Sequence, residues 1–205
     1  MLKKINIVTA MMVFAAGLAF AAPADVPKSG QTTAFATGDD GALQKGIAWP
    51  SVRFTTNADT TITDNLTGLV WAPNGNGMPT RDNNWDQDGT VNDGLVTWQH
   101  ALDYVAKLNT ESYLGHTDWR LPNVSELESL VHAEYAKETC NGSPCGTNAA
   151  WLNTQGFGNV QANGYWSSTT YAGRTTDAWY VFMSGLVTAY TKTLNYYVWP
   201  VRSGQ

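Results

Sequence analysis

Charge is scarce in this chain: only 14% of its 205 residues are Asp, Glu, Lys or Arg. Its 12 basic residues are outnumbered by 17 acidic ones, for a formal net charge of −5. That balance argues against nucleic acid and anionic membrane surfaces as partners. Cysteine is nearly absent as well, with only Cys140 and Cys145 present. A zinc site would need two further ligands, and none is obvious beside that pair. His100, His116 and His132 stand apart, without metal-ligand spacing. No glycine motif that cradles phosphate occurs, and no Gly-x-Ser-x-Gly nucleophile motif. Internal repeats and low-complexity blocks are also missing. The expectation from these absences is a protein that is not an enzyme and requires no cofactor.

What is present begins with a leader. Lys3 and Lys4 precede an apolar run from Ile5 to Phe20, and Ala19-Phe20-Ala21 supplies the small-x-small pattern of a cleavage site. The run is shorter than the ~20 apolar residues a membrane-spanning helix needs. Residues 1–21 therefore read as a signal peptide, with the mature protein extracytoplasmic: periplasmic, cell-surface or secreted. No transmembrane segment is expected after cleavage. Losing Lys3 and Lys4 leaves ten basic residues against 17 acidic ones, a net charge of −7.

Residues 22–34 read as an irregular lead-in, and residues 35–205 as one domain. Thr60-Thr61-Ile62-Thr63 and Leu69-Val70-Trp71 read as strands joined by a turn at Asn65–Gly68. Thr97 is a plausible N-cap for a helix with Trp98, Ala101, Leu102, Val105 and Leu108 on one face. A second helix begins at Asn123, with Glu126 as capping-box partner and Val124, Leu127, Leu130 and Val131 as its apolar stripe. Strands return at Tyr165–Ser168, Ala178–Met183, Leu186–Thr191 and Tyr196–Arg202, with Ser184-Gly185 turning the middle pair into a hairpin. This order implies an α+β fold, two helices packed on antiparallel sheets with long loops, and not an alternating βαβ sheet. In an oxidising compartment the Cys140-Asn-Gly-Ser-Pro-Cys145 segment reads as a small disulfide loop.

Several segments, taken in order, carry a resemblance. They are Thr63-Asp-Asn-Leu-Thr-Gly-Leu-Val-Trp71, Thr97-Trp-Gln-His-Ala-Leu102 and Gly115-His-Thr-Asp-Trp-Arg-Leu-Pro-Asn-Val-Ser-Glu-Leu127, extended by Tyr165-Trp-Ser-Ser168 and Val198-Trp-Pro-Val-Arg202. Together they resemble the Lcl C-terminal domain family, named for a collagen-like bacterial adhesin, from roughly Gly30 to Arg202. The resemblance implies a C-type-lectin-like fold, a cousin of the formylglycine-generating enzyme fold, whose first and last strands lie together and would make Ile62 and Val198 neighbours. It implies adhesion through sulfated polysaccharides on a trimer. This chain has no Gly-X-Y stalk to impose a trimer, and its negative charge opposes attraction of a polyanion. The lectin sugar motifs are absent too: Leu121-Pro122-Asn123 and Ala72-Pro73-Asn74 lack the acidic partner, and no Trp-Asn-Asp occurs. The related oxidase holds copper on a late cysteine pair, which the earlier Cys140 and Cys145 do not reproduce.

Three groups of residues remain as sites. In the loop 82–93, the oxygen-bearing Asp82, Asn84, Asp86 and Asp88 with Gly89 resemble the opening of a calcium loop. Leu95 holds the place of the usual bidentate Glu, and a solvated Asx-rich turn is the competing reading. Asp118, Trp119 and Arg120 read as structural, the guanidinium being held by Asp118, Glu126 or Glu128, against an alternative role for Arg120 in binding anions. The aromatic C-terminal third has three basic residues and one acid, Asp177. There Trp166, Tyr171, Arg174, Trp179, Tyr180, Tyr190 and Lys192 are candidates for binding a glycan or a surface protein. Alternation along the strand aims Trp179 and Tyr180 to opposite sides. The resulting expectation is a recognition or adhesion domain, able to oligomerise. A structural subunit of a surface assembly is the alternative, and a formylglycine-generating-type enzyme the remaining one.

Overall fold

The structure is a computed structural model and describes residues 26–81, 93–136 and 147–204. The leader, the acidic loop with Asp82, Asn84, Asp86 and Asp88, and the Cys140–Cys145 segment all lie outside the described residues.

The chain forms two antiparallel sheets with short helices between them, an α+β arrangement. The first sheet holds β1 (Phe54–Thr56), β2 (Ile62–Asp64), β3 (Leu69–Trp71) and β7 (Val201–Ser203), in that spatial order. The second holds β4 (Gly164–Thr170), β5 (Asp177–Phe182) and β6 (Val187–Thr191). Among the described residues the helices are α1 (Asp40–Leu43), α2 (Met78–Arg81), α3 (Trp98–Thr110), α4 (Val124–Glu128) and α5 (Thr147–Thr154).

Turn chemistry accounts for the hairpins. Asp64 accepts the Leu66 N–H on its carboxylate at 2.9 Å and the Gly68 N–H on its carbonyl at 2.8 Å, and Gly68 takes a left-handed φ of 73°. The β5–β6 hairpin closes where expected, over Met183–Leu186, with Gly185 at φ 100°. On α3, Ala101, Tyr104, Val105 and Leu108 are buried, following the expected helical stripe. Thr97 sits at the cap position but makes no backbone cap bond; its hydroxyl meets His100 Nδ1 at 2.7 Å. At α4 the capping box is complete: Asn123 accepts the Glu126 N–H, and Glu126 accepts the Asn123 N–H at 2.8 Å.

The last strand departs from the expected pattern. Tyr196 and Tyr197 make single bridges to different partners, Val96 and Tyr165, and Pro200 has no N–H to contribute to a ladder. A regular strand therefore starts only at Val201. It pairs with β3, Val70 opposite Arg202, so β3 lies between β2 and β7, while Ile62 and Val198, expected as neighbours, both enter the buried core.

A large aromatic core joins the two sheets. Trp71, Tyr165, Trp166 and Trp199 are fully buried. The Trp199 ring lies 5.6 Å from Trp71, 5.0 Å from Phe157 and 5.4 Å from Tyr165, and its indole N–H donates to the Ala72 carbonyl at 2.9 Å.

Residues 26–49 form a strap across one end. Lys28 N–H donates to Ile47 O at 3.0 Å, and Ala133 N–H donates to Ser29 O at 3.0 Å. The Glu134 carboxylate clasps the strap by accepting the Thr32 and Thr33 N–H groups at 2.8 and 2.9 Å, together with the Thr33 hydroxyl. These hydrogen bonds, led by the Thr33 side chain, hold the Glu134 carboxyl at about 2 against its ordinary 4.5. The sign follows from linkage: the clasp is fully formed above about 4.5 and is lost as pH falls toward about 2. Amide resonances of Thr32 and Thr33 followed by NMR should shift with a midpoint near the lower figure. A midpoint at the ordinary carboxylate value would show that no clasp forms.

Candidate functional site

The sequence candidates meet on the three-stranded sheet, and strand register decides which share a face. Residues opposite one another in an antiparallel pair point to the same side. Trp166 is opposite Tyr180, Tyr180 is opposite Thr188, and Ala178 is opposite Tyr190. Trp179 is opposite Ala189. Tyr180, Tyr190 and Trp166 therefore occupy one face, and Trp179 the other.

On the first face the aromatic rings are layered. Trp166 is fully buried at the bottom and donates its indole N–H to Val96 O at 2.8 Å. Tyr180, also buried, stacks on Tyr196 at 4.1 Å between centroids and 20° between planes. Phe182 stands 5.6 Å from Tyr180 and 6.1 Å from Tyr196. This packing needs Gly164 beneath it, since a Cβ there would meet the Tyr196 ring at 2.8 Å. Tyr190 extends the layer outward on β6 and is 53% exposed. Burial, then the hydrogen bond that the Tyr196 hydroxyl donates to Tyr180, push the Tyr196 phenol above its ordinary value, so it keeps its proton.

The cations near this sheet are committed to the protein itself. Lys192 Nζ lies 4.0 Å over the Trp98 ring and donates to Thr170 Oγ1 and the Thr175 carbonyl, both at 3.0 Å. Arg174 donates Nε to the buried Asp177 carboxylate at 2.8 Å, with Nη2 at 2.6 Å. On the opposite face Tyr171 meets Trp179 edge-on at 5.5 Å, next to the Arg174 turn. The seven sequence candidates thus divide into a layered aromatic face, with Lys192 at its end, and a smaller Tyr171–Trp179 corner behind it.

The Asp118–Arg120 segment is held internally. Arg120 grips Glu126 with both Nη atoms, each at 2.6 Å. Although burial opposes it, Arg120 and the Asn123 N–H keep the Glu126 carboxyl below its ordinary value. The Arg120 side chain is 40% exposed, so it is not a buried arginine, and it lines a groove of about 510 Å³ with Asn109, Asn123 and Ser168. Asp118 pairs with Arg202 Nε at 2.8 Å, not with Arg120. Trp119 is buried and clamped by Asn109, which accepts its N–H and donates to its carbonyl, both at 2.7 Å.

A second cluster was not visible in the sequence. Arg53 and Asp64 are both buried and form an ion pair at 3.3 Å. The guanidinium lies 4.1 Å over Trp49, in a nest completed by His132, Tyr135 and Trp151. Burial, then the Arg53 charge, holds the His132 imidazole below its ordinary value, keeping it neutral. Nothing in the residue order joins these groups, because the strap and the helix ends bring them together from far apart. A cleft of about 800 Å³ opens beside the nest, between the strap, α4 and the β5–β6 turn.

Among the described residues no group of three or more His, Cys, Asp or Glu side chains is placed to hold a metal ion, and no helix is long and apolar enough to cross a membrane. No curated protein matches the chain. A family model, the Lcl C-terminal domain, matches residues 60–202, from the turn before β2 to the middle of β7. Its span contains both sheets except β1, the aromatic face and the Asp118–Arg120 turn, and it leaves out the strap. The chain belongs to the Lcl C-terminal domain family.

Proposed function

We propose that this protein is an exported, non-catalytic recognition domain that binds carbohydrate outside the cytoplasm, on a C-type-lectin-like scaffold. One observation carries the reading: Tyr190, Tyr196, Phe182 and Tyr180 form a layered aromatic face whose outermost ring is half in solvent. Flat rings of this kind offer apolar contact to the C–H faces of a sugar, while their hydroxyls hydrogen-bond its edges. Thr188 and the Tyr190 hydroxyl add polar contacts on the same side.

The charge on this face selects among glycans. Lys192 is spent on Trp98, Thr170 and Thr175, and Arg174 is neutralised by Asp177. An uncharged sugar chain therefore fits better than a sulfated one, in contrast to the ligand that the family resemblance implies. Calcium is not needed for contact with the aromatic face, and any calcium held by the acidic loop 82–93 would act apart from it.

Binding to a glycan array is the direct test. Wild-type protein should retain neutral polysaccharides, and Tyr190→Ala should weaken the interaction by about tenfold, the loss of one stacked ring. Affinity should change by less than about twofold when salt is raised tenfold, because no long-range charge is at work. Silence across neutral and acidic arrays, or binding that Tyr190→Ala leaves intact, would remove this face as the site.

A further inference from the structure

The second sheet ends on a strand with none of the usual protections. β6 is its edge, and every residue of Val187-Thr188-Ala189-Tyr190-Thr191 is at least partly accessible. The five residues include no charge, proline or glycine, and are mostly β-branched or aromatic. Natural edges are normally blunted by lysine, proline or a bulge. The nearby Lys192 does not serve, since its Nζ is drawn back across the sheet to Thr170 of β4.

Backbone alternation shows which groups are free. Phe182 N–H donates to Leu186 O, and Lys192 N–H donates to Thr176 O, so even-numbered residues of this strand face β5. The N–H groups of Val187, Ala189 and Thr191 accordingly point away from the sheet, as do the carbonyls of Val187 and Ala189, while the Thr191 carbonyl accepts the Leu194 N–H at 3.1 Å. Leu186, Tyr190 and Leu194, all exposed large apolar residues, crowd the same edge.

We infer that two copies of this chain join through β6, antiparallel about a twofold axis at Ala189, fusing two three-stranded sheets into one. The register is self-complementary. Ala189 meets its own copy, Val187 meets Thr191, and Thr188 meets Tyr190 across the axis, so that no charge faces a like charge. The smallest side chain of the strand, Ala189, sits on the twofold axis, where a residue must pack against its own copy. Asp177, the one acid in residues 149–204, is buried and paired with Arg174, so the acidic character of the protein does not oppose contact here. Mid-strand symmetry also gives the longest overlap of free backbone groups. The join places both aromatic faces on the same side of one sheet, which would double the valency of any ligand contact. The pairing itself does not depend on the carbohydrate reading.

Sedimentation velocity of the purified protein over a wide concentration range provides the test, with Ala189→Pro as the variant. That substitution removes an N–H that the β5–β6 ladder does not use, so the fold should be retained. Wild type should associate reversibly to a dimer, and Ala189→Pro should weaken association by about tenfold or more. Amide exchange on wild type gives a second reading free of any folding defect: protection of Val187, Ala189 and Thr191 should rise with concentration. A monomer at every concentration overturns the proposal, including the case where only a foreign extended peptide adds to β6. So does a dimer in which those three amides exchange at concentration-independent rates.

Discussion

Replacing Asp64 with Asn should cost about 3–5 kcal/mol of stability, the range for stranding one partner of a buried ion pair. Arg53 and Asp64 have side-chain exposures of 4% and 0%. Arg53 reaches Asp64 through Nε and Nη2 at 3.4 and 3.3 Å, and Nη2 also donates to the Ser129 carbonyl. Burial pulls the Arg53 guanidinium below its ordinary value, and the Asp64 carboxylate works against that pull. Its Nη1 already finds no hydrogen-bond partner among the described residues, so the group has no reserve of acceptors. The Asn substitution keeps the acceptor for Leu66 N–H and hence the turn, isolating the charge. Urea unfolding should therefore show a large shift in midpoint at unchanged slope. Arg53→Met combined with Asp64→Asn should recover part of the loss, because no buried guanidinium is then left without its counter-charge while the Leu66 N–H keeps its acceptor. A loss near 1 kcal/mol for Asp64→Asn would mean that water reaches the pair.

The second large effect is expected at the centre of the core. Trp199→Ala should cost about 3–5 kcal/mol, the usual range for emptying a buried aromatic site. Trp199 touches rings from both sides, Trp71 of the first sheet and Tyr165 of the second, so a cavity there loosens the contact between sheets. A finer comparison separates packing from hydrogen bonding. Trp199 donates to Ala72 O, whereas Trp71, equally buried, has an indole N–H with no partner among the described residues. Trp199→Phe should thus cost about 1–3 kcal/mol more than Trp71→Phe, through the carbonyl left unsatisfied. Equal losses in thermal or chemical unfolding would assign the whole effect to volume.

The features legible in the sequence were those with short-range causes. The Asn65–Gly68 turn is specified by Asp64 and Gly68 within a few residues, and the α4 start by Asn123 and Glu126. The β5–β6 hairpin follows in the same way from Ser184-Gly185. β1 carries little local signature, because Phe54–Thr56 is only three residues long and becomes a strand by pairing with β2. α5 is equally hard to read, because its apolar residues form no clear stripe. The aromatic cluster was recognisable as a group, but its division between two faces follows from register across β4, β5 and β6. The Arg53 nest has no local signature for a related reason: its partners come from the strap, β2, the segment after α4 and the middle of α5.

The pairing of β3 with β7 has a kinetic meaning. Trp199 and its Ala72 partner are 127 positions apart in the chain, and Trp71 has its Trp199 packing partner only once the late strand has arrived. The entropy of closing so long a loop must be met before the core gives anything back, which delays collapse to the native state. A ribosome-bound chain lacking its final segment would hold the central tryptophans without their seat. For the export proposed above, which needs an unfolded polypeptide, late closure keeps the chain pliable until the Trp199 segment is made.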